Sequence, residues 1–87
     1  ALPVDVRDPS VFGRYRIPGA VNIPAAEVVT RAADLAARDG RVRVLYGRST
    51  DEAKELVDKA RAAGANVAFL AGGFLHWEAE GLEVERG

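Results

Sequence analysis

The chain has 87 residues, enough for one small domain. Its apolar share of 48% and charged share of 29% are ordinary globular values and argue against intrinsic disorder. Twelve basic residues face thirteen acidic ones for a formal net charge of -1, no Lys/Arg stripe marks a nucleic-acid surface, and no apolar run reaches membrane-spanning length. There is no signal-peptide pattern. The absence of cysteine removes disulfides, thiolate metal sites and cysteine nucleophiles, and the lone His76 cannot build a histidine metal site. No metal or cofactor is therefore expected. Lack of cysteine fits any compartment, so cytoplasm is the default expectation. Methionine is absent even at position 1, which reads as a processed protein, a fragment or one module of a longer polypeptide.

In chain order, Leu2 to Val6 is a short apolar run suited to a buried strand. Asp8-Pro9 reads as a helix start, with Asp8 as N-cap and Pro9 at the first helical position, for a short helix of about Ser10 to Gly13. Ile17-Pro18-Gly19-Ala20 is turn chemistry, and Val21-Asn22-Ile23 reads as a brief strand closed by Pro24. Val28, Ala32, Leu35 and Ala36 share one face of a helix expected over roughly Ala25 to Arg38, ended by Gly40. Arg41 to Tyr46 reads as a strand. Ser49-Thr50-Asp51-Glu52 is a capping box, with Ser49 as cap and Glu52 three residues on. The helix it opens runs to about Ala63 and buries Ala53, Leu56, Val57 and Ala60. Asn66 to Leu70 is a further strand, Gly72-Gly73 a tight loop, and Phe74 to Glu80 a last short helix. The tail Glu83 to Gly87 is polar and expected to fray.

Strands alternate with helices throughout. The fold class is therefore α/β: one small domain spanning residues 1–87, with a mostly parallel sheet flanked by helices. Ligands of such sheets bind where strands end and helices begin. That directs attention to Gly47, Arg48, Ser49, Thr50, Asp51 and Glu52. Backbone N–H groups and a helix dipole there form a nest suited to an anion. Asp51 and Glu52 in the first helical turn compete for the same field. Each exposed acid stabilises the helix by about 0.3–1 kcal/mol and weakens the case for an incoming anion.

Asp5-Val6-Arg7-Asp8-Pro9, then Phe12, then Ile17 through Pro24 resemble the opening signature of rhodanese-like domains. Val42 to Tyr46 resembles the strand before their active loop, and Ala71-Gly72-Gly73-Phe74 with Trp77 and Gly81-Leu82 resembles their closing motif. The resemblance covers nearly the whole chain. It implies a three-layer domain with a sheet of about four strands. The family often carries a strand and helix before the Asp-Val-Arg strand, and the resemblance implies a trimmed or minimal domain here.

The family's activity moves a sulfane sulfur, carried as a persulfide on the first residue of a six-residue loop that typically ends in arginine. By that resemblance the cysteine position falls on Gly47 and the terminal arginine on Glu52, while Arg48 and Ser49 match. Arg16 takes the place of a histidine that commonly precedes the Ile-Pro-Gly-Ala turn, and Asp5 and Arg7 are supporting residues. Glycine offers no nucleophile, and the hydroxyls of Ser49 and Thr50 lack an identifiable general base. The related phosphatases also need a loop cysteine and arginine, so that activity is excluded too.

Simpler roles are available for most of these residues. Asp5 and Arg7 read as an end-of-strand ion pair, Trp77, Phe12, Phe69 and Phe74 as core, Tyr15 as a rim aromatic, and His76 as a surface polar residue. Arg14 or Arg16 over the loop mouth would hold an anion together with Arg48. Three functional readings follow. The leading one is a catalytically silent domain that binds a partner protein, a neighbouring domain or a small anion. The second is part of a sulfurtransferase whose cysteine is supplied by another domain or was replaced. The third is a weak anion sensor at the loop.

Overall fold

The computed structural model describes residues 2–31, 35 and 42–87. Four parallel strands form the main sheet in the order β3-β1-β4-β5: β1 (Leu2–Asp5), β3 (Val21–Asn22), β4 (Arg43–Tyr46) and β5 (Val67–Phe69). The central pair is in register from Leu2 opposite Arg43 to Asp5 opposite Tyr46. Both strands therefore end at the same edge, where the next loop begins. The helices are α1 (Pro9–Arg14), α2 (Ala25–Val28), α3 (Thr50–Ala62) and α4 (Gly73–Ala79). The α/β class, the parallel four-strand sheet and the flanking helices agree with the sequence expectation.

Alternation along the strands sends side chains to two faces. One face carries the larger core. Val4, Leu45 and Val67 of the sheet pack there with Val28 of α2 and Ala53, Val57 and Ala60 of α3. Those α3 positions recur at spacings of four and three, the helical period. The other face carries Tyr46, which packs with Ile17 and with Phe74 of α4, flanked by Tyr15, Leu70, Trp77 and Val84. Helices thus cover both faces of the sheet.

Several expectations are corrected. The tail pairs instead of fraying. β6 (Glu85–Arg86) lies antiparallel to β2 (Tyr15–Arg16), and the Gly87 N–H donates to the Arg14 carbonyl. Phe69 is 36% exposed, because it ends the outermost strand, where no further strand covers it. Phe12 is only half-buried, whereas Trp77 packs against the Tyr46–Phe74 cluster as expected, its indole N–H donating to the Glu83 carbonyl at 2.6 Å. Asp8 and Pro9 open α1 as expected, Asp8 at the N-cap and Pro9 as the first helical residue, but the Asp8 side chain makes no capping bond. Of the helix expected over 25–38, α2 occupies Ala25–Val28 and Leu35 is buried; residues 32–34 and 36–41 lie outside the described ones.

Leu45 is fully buried in the central strand. Leu45→Ala is expected to destabilise the domain by about 2–5 kcal/mol, through lost transfer energy plus a cavity. Leu82→Ala, at a 47% exposed position, is expected to stay within about 0.5 kcal/mol. Urea unfolding of both variants checks the contrast.

Candidate functional site

The C-terminal ends of β1 and β4 place Asp5, Arg7, Tyr46 and the loop at 47–52 together. Asp5 is completely buried and Arg7 nearly so. The Asp5 carboxylate accepts from the Arg7 backbone N–H at 2.8 Å and from Arg7 Nε at 2.9 Å, and it pairs with Arg7 Nη2. Nη2 also donates to the Tyr15 carbonyl at 2.7 Å. Asn22 Nδ2 donates to the carbonyls of both Asp5 and Arg7. The guanidinium lies against three rings, 4.5 Å from the centroid of Phe74, 5.0 Å from Tyr15 and 5.7 Å from Tyr46. A weakly hydrated planar cation suits such a box. Burial alone would lower the Arg7 pKa, but the hydrogen bond and charge of Asp5 outweigh it and hold it above its ordinary value.

Tyr46 ends the strand before the loop, and its hydroxyl oxygen accepts from the Ile17 N–H at 3.1 Å. Burial raises the phenol pKa well above its ordinary 10.0, and Asp5 acts in the same direction, while the Ile17 N–H and Arg7 oppose it. The phenol therefore stays neutral through the whole physiological range.

The loop is held by α4. Phe74 N–H donates to the Gly47 carbonyl at 2.9 Å and Leu75 N–H to the Arg48 carbonyl at 3.1 Å. The Gly72 N–H donates to Thr50 Oγ1 at 2.6 Å. Gly73 makes this approach possible. Its φ is +58°, and a Cβ there would stand 2.8 Å from the backbone of both Gly47 and Arg48. The Gly72-Gly73 pair, read from sequence only as a tight turn, is the seat of the loop.

Inside the loop the expected capping box is shifted. Ser49 is the N-cap of α3 but makes no side-chain capping bond. Instead Glu52 folds back, its Oε2 accepting from the Arg48 N–H at 3.2 Å and its Oε1 from Ser49 Oγ at 3.4 Å. The carboxylate thus comes to lie against Gly47. A Cβ added at Gly47 would stand 2.5 Å from Glu52 Oε2 and 3.0 Å from Glu52 Cβ. The chain's own anion occupies the place where a side chain at 47 would project.

Above the loop opens a cleft of about 520 Å³. Val6, Val11, Tyr15 and Phe74 make its apolar surface, together with Leu75 at its edge; Asp8, Arg48, Glu52 and Glu78 bring the charges, and Arg7 also lines it. Of the residues singled out in the sequence, Arg7, Arg48 and Glu52 line the cleft, Thr50 anchors its loop, and Asp5 supports it from beneath. Asp51 is exposed in the first turn of α3. Arg16 is not brought to the loop. Its Nε pairs with Glu85 at 2.7 Å, its Nη1 donates to the Phe12 carbonyl, and it lies over the Phe12 ring. Neither Arg14 nor Arg16 lines the cleft. Sequence reasoning did not find Glu78 and Leu75. Both lie on α4, and only the docking of α4 on the loop brings them to the cleft.

Two predictions test this geometry. Arg7→Met leaves the buried Asp5 carboxylate unpaired and is expected to cost about 3–5 kcal/mol, whereas Asp5→Leu/Arg7→Met costs less than either single change; denaturant unfolding of the three variants decides. The raised phenol pKa of Tyr46 makes the unfolded state lose its proton first. Its contribution is intact below pH 10 and is lost as pH rises toward the folded pKa, at up to about 1.4 kcal/mol per pH unit. Tyr46→Phe is expected to flatten stability curves measured above pH 10. It also costs about 1–3 kcal/mol at neutral pH, because the Ile17 N–H loses its acceptor.

Comparisons with known proteins agree with this architecture. The chain is 39% identical over 84 residues to the HTH-type transcriptional regulator Rv0324 of Mycobacterium tuberculosis; the match covers 97% of this chain and 37% of the regulator, so the chain spans little more than a third of that relative. A crystal structure of the Rhodanese_3 like domain of the Alr3790 protein from Anabaena sp. superposes with a TM-score of 0.81 at 32% identity, covering 95% of each chain. A thiosulfate sulfurtransferase from Pseudomonas aeruginosa shares the fold, with a TM-score of 0.78 at 23% identity over 99% of this chain and 17% of its own. The family model described as "Rhodanese-like domain" matches residues 1–80, and the chain belongs to that family.

Proposed function

We propose that this rhodanese-like domain is silent in sulfur transfer and acts as a binding, regulatory module. The observation that carries the reading is the Gly47–Glu52 pair. Position 47 has no nucleophile, and the Glu52 carboxylate fills the space a side chain there would use. Persulfide chemistry needs a thiolate, and the chain has no cysteine. A carboxylate seated on the Arg48 N–H also blocks the field that would stabilise a bound sulfur anion. The same contact weighs against an anion sensor at the loop.

What remains is a scaffold. Gly73, the Asp5–Arg7 pair and the aromatic cluster still hold a shaped cleft above an unreactive loop. The relative named as a transcriptional regulator supports a regulatory setting in which such a domain is one part of a longer protein. A partner protein or another part of the same polypeptide is the ligand this reading calls for, in the cytoplasm.

The test is thiocyanate formation from thiosulfate and cyanide by the purified domain. No rate above the protein-free reaction is expected, and measurable turnover would overturn the reading. Gly47→Cys alone is expected to stay inactive, because the Glu52 carboxylate beside the new thiol disfavours its thiolate form. Gly47→Cys/Glu52→Arg replaces the carboxylate beside the thiol with a cation that favours the thiolate, and it is expected to turn over thiosulfate.

A further inference from the structure

We propose that the cleft above the loop docks a protein segment through one basic side chain, Lys or Arg, with an apolar residue beside it. The inference rests on the binding-module reading and adds the chemistry of the partner. Its warrant is the pairing of shape with charge. The apolar part of the cleft, formed by Val6, Val11, Tyr15 and Phe74, continues outward to Leu75, a large hydrophobic residue left 48% exposed. An apolar partner side chain gains by covering it.

The charges select the rest of the partner. Asp8, Glu52 and Glu78 line the cleft against Arg48. Arg7 adds no net positive charge, because Asp5 neutralises it from below. The Asp8 carboxylate does not cap its helix, and neither Asp8 nor Glu78 forms an ion pair or side-chain hydrogen bond with any described residue. Glu52 is already engaged with the Arg48 N–H, so the positive end of α3 is met from within. An incoming anion finds that amide taken and meets three carboxylates. An incoming cation finds two carboxylates with no partner among the described residues. Among the described residues the acids do not converge into a group that could hold a metal ion. They are spread along the cleft, which fits an elongated side chain with an apolar stem and a charged end. Arg48 opposes that end and sets its approach toward Asp8 and Glu78.

The test uses the whole chain, isotopically labelled, and the blocked peptide acetyl-Gly-Leu-Arg-Leu-Gly-amide, followed by amide chemical shifts. Shifts are expected at Asp8, Arg48, Leu75 and Glu78, with none from the peptide carrying Glu in place of Arg. Asp8→Asn/Glu78→Gln alters two exposed side chains without touching the core; it is expected to weaken binding by about tenfold, and added salt to weaken it further. Equal binding of the Glu peptide, binding that ignores the double variant, or an absence of shifts at millimolar Arg peptide would each overturn the proposal. The thiocyanate assay on the same sample separates the two readings. Turnover removes the binding-module reading itself, whereas an inactive protein indifferent to the Arg peptide removes only the docking chemistry.

Discussion

The buried pair of Asp5 and Arg7 is the interaction on which the functional end of this domain depends. It stands at the end of the central strand, where the chain leaves the sheet. The Asp5 carboxylate accepts from both the backbone and the side chain of Arg7, so residues 5–7 are locked into one local shape. The guanidinium then reaches the Tyr15 carbonyl and lies against Tyr15, Tyr46 and Phe74. Asn22 ties the same turn to the edge strand. One ion pair therefore fixes the relative positions of β1, β2, β3, the end of β4 and the first turn of α4. Such a pair is weak evidence for stability, since apolar replacements of similar volume often match it. Its consequence here is geometric. It sets the aromatic surface of the cleft and places a cation beneath it without leaving a net charge.

Much of this arrangement is legible in the sequence, for identifiable reasons. Strand–helix alternation is plain because short apolar runs alternate with segments whose apolar residues recur about every 3.6 positions, and Gly, Pro and Ser punctuate the switches. The length of α3 follows from its cap and from Ala53, Val57 and Ala60. The α/β class and the residues around the loop follow from the same signals. The two-stranded ribbon is not legible. Strands of two residues carry no period, and Tyr15-Arg16 and Glu85-Arg86 look like polar loop until tertiary structure sets Arg16 against Glu85. That contact draws Arg16 away from the loop. Phe69 looks like core because it is aromatic, yet its strand is the last in the sheet, and edge position overrides residue type. The capping box identifies the start of α3. It does not show that Glu52 reaches one residue further back, to Arg48, because a glycine at 47 leaves that space free.

The residues at 47 and 52 are coupled, and the coupling is steric as well as chemical. Without a Cβ at 47, the Glu52 side chain turns inward and finds an amide donor and a hydroxyl there. With the carboxylate in that place, a larger residue at 47 meets both its oxygen and its Cβ. Gly47 and Glu52 therefore fit one another in a single arrangement. The same loop keeps its Gly47 and Arg48 carbonyls engaged by the amides of Phe74 and Leu75.

Gly73 separates the two demands on this region. A glycine there serves the contact between α4 and the loop, whatever the loop contains. A chain that needed only a stable globule would gain nothing from a positive-φ residue pressed against the loop backbone, because such a residue adds conformational entropy to the unfolded state. Its placement makes sense if the position of the loop relative to α4 matters in itself. That position brings Leu75 and Glu78 of α4 to the cleft shared by Asp8, Arg48 and Glu52. The cleft is thus assembled from three separate stretches of chain, and none of its lining depends on a nucleophile in the loop. A cleft held by packing and by backbone contacts needs no reactive side chain to present a recognition surface.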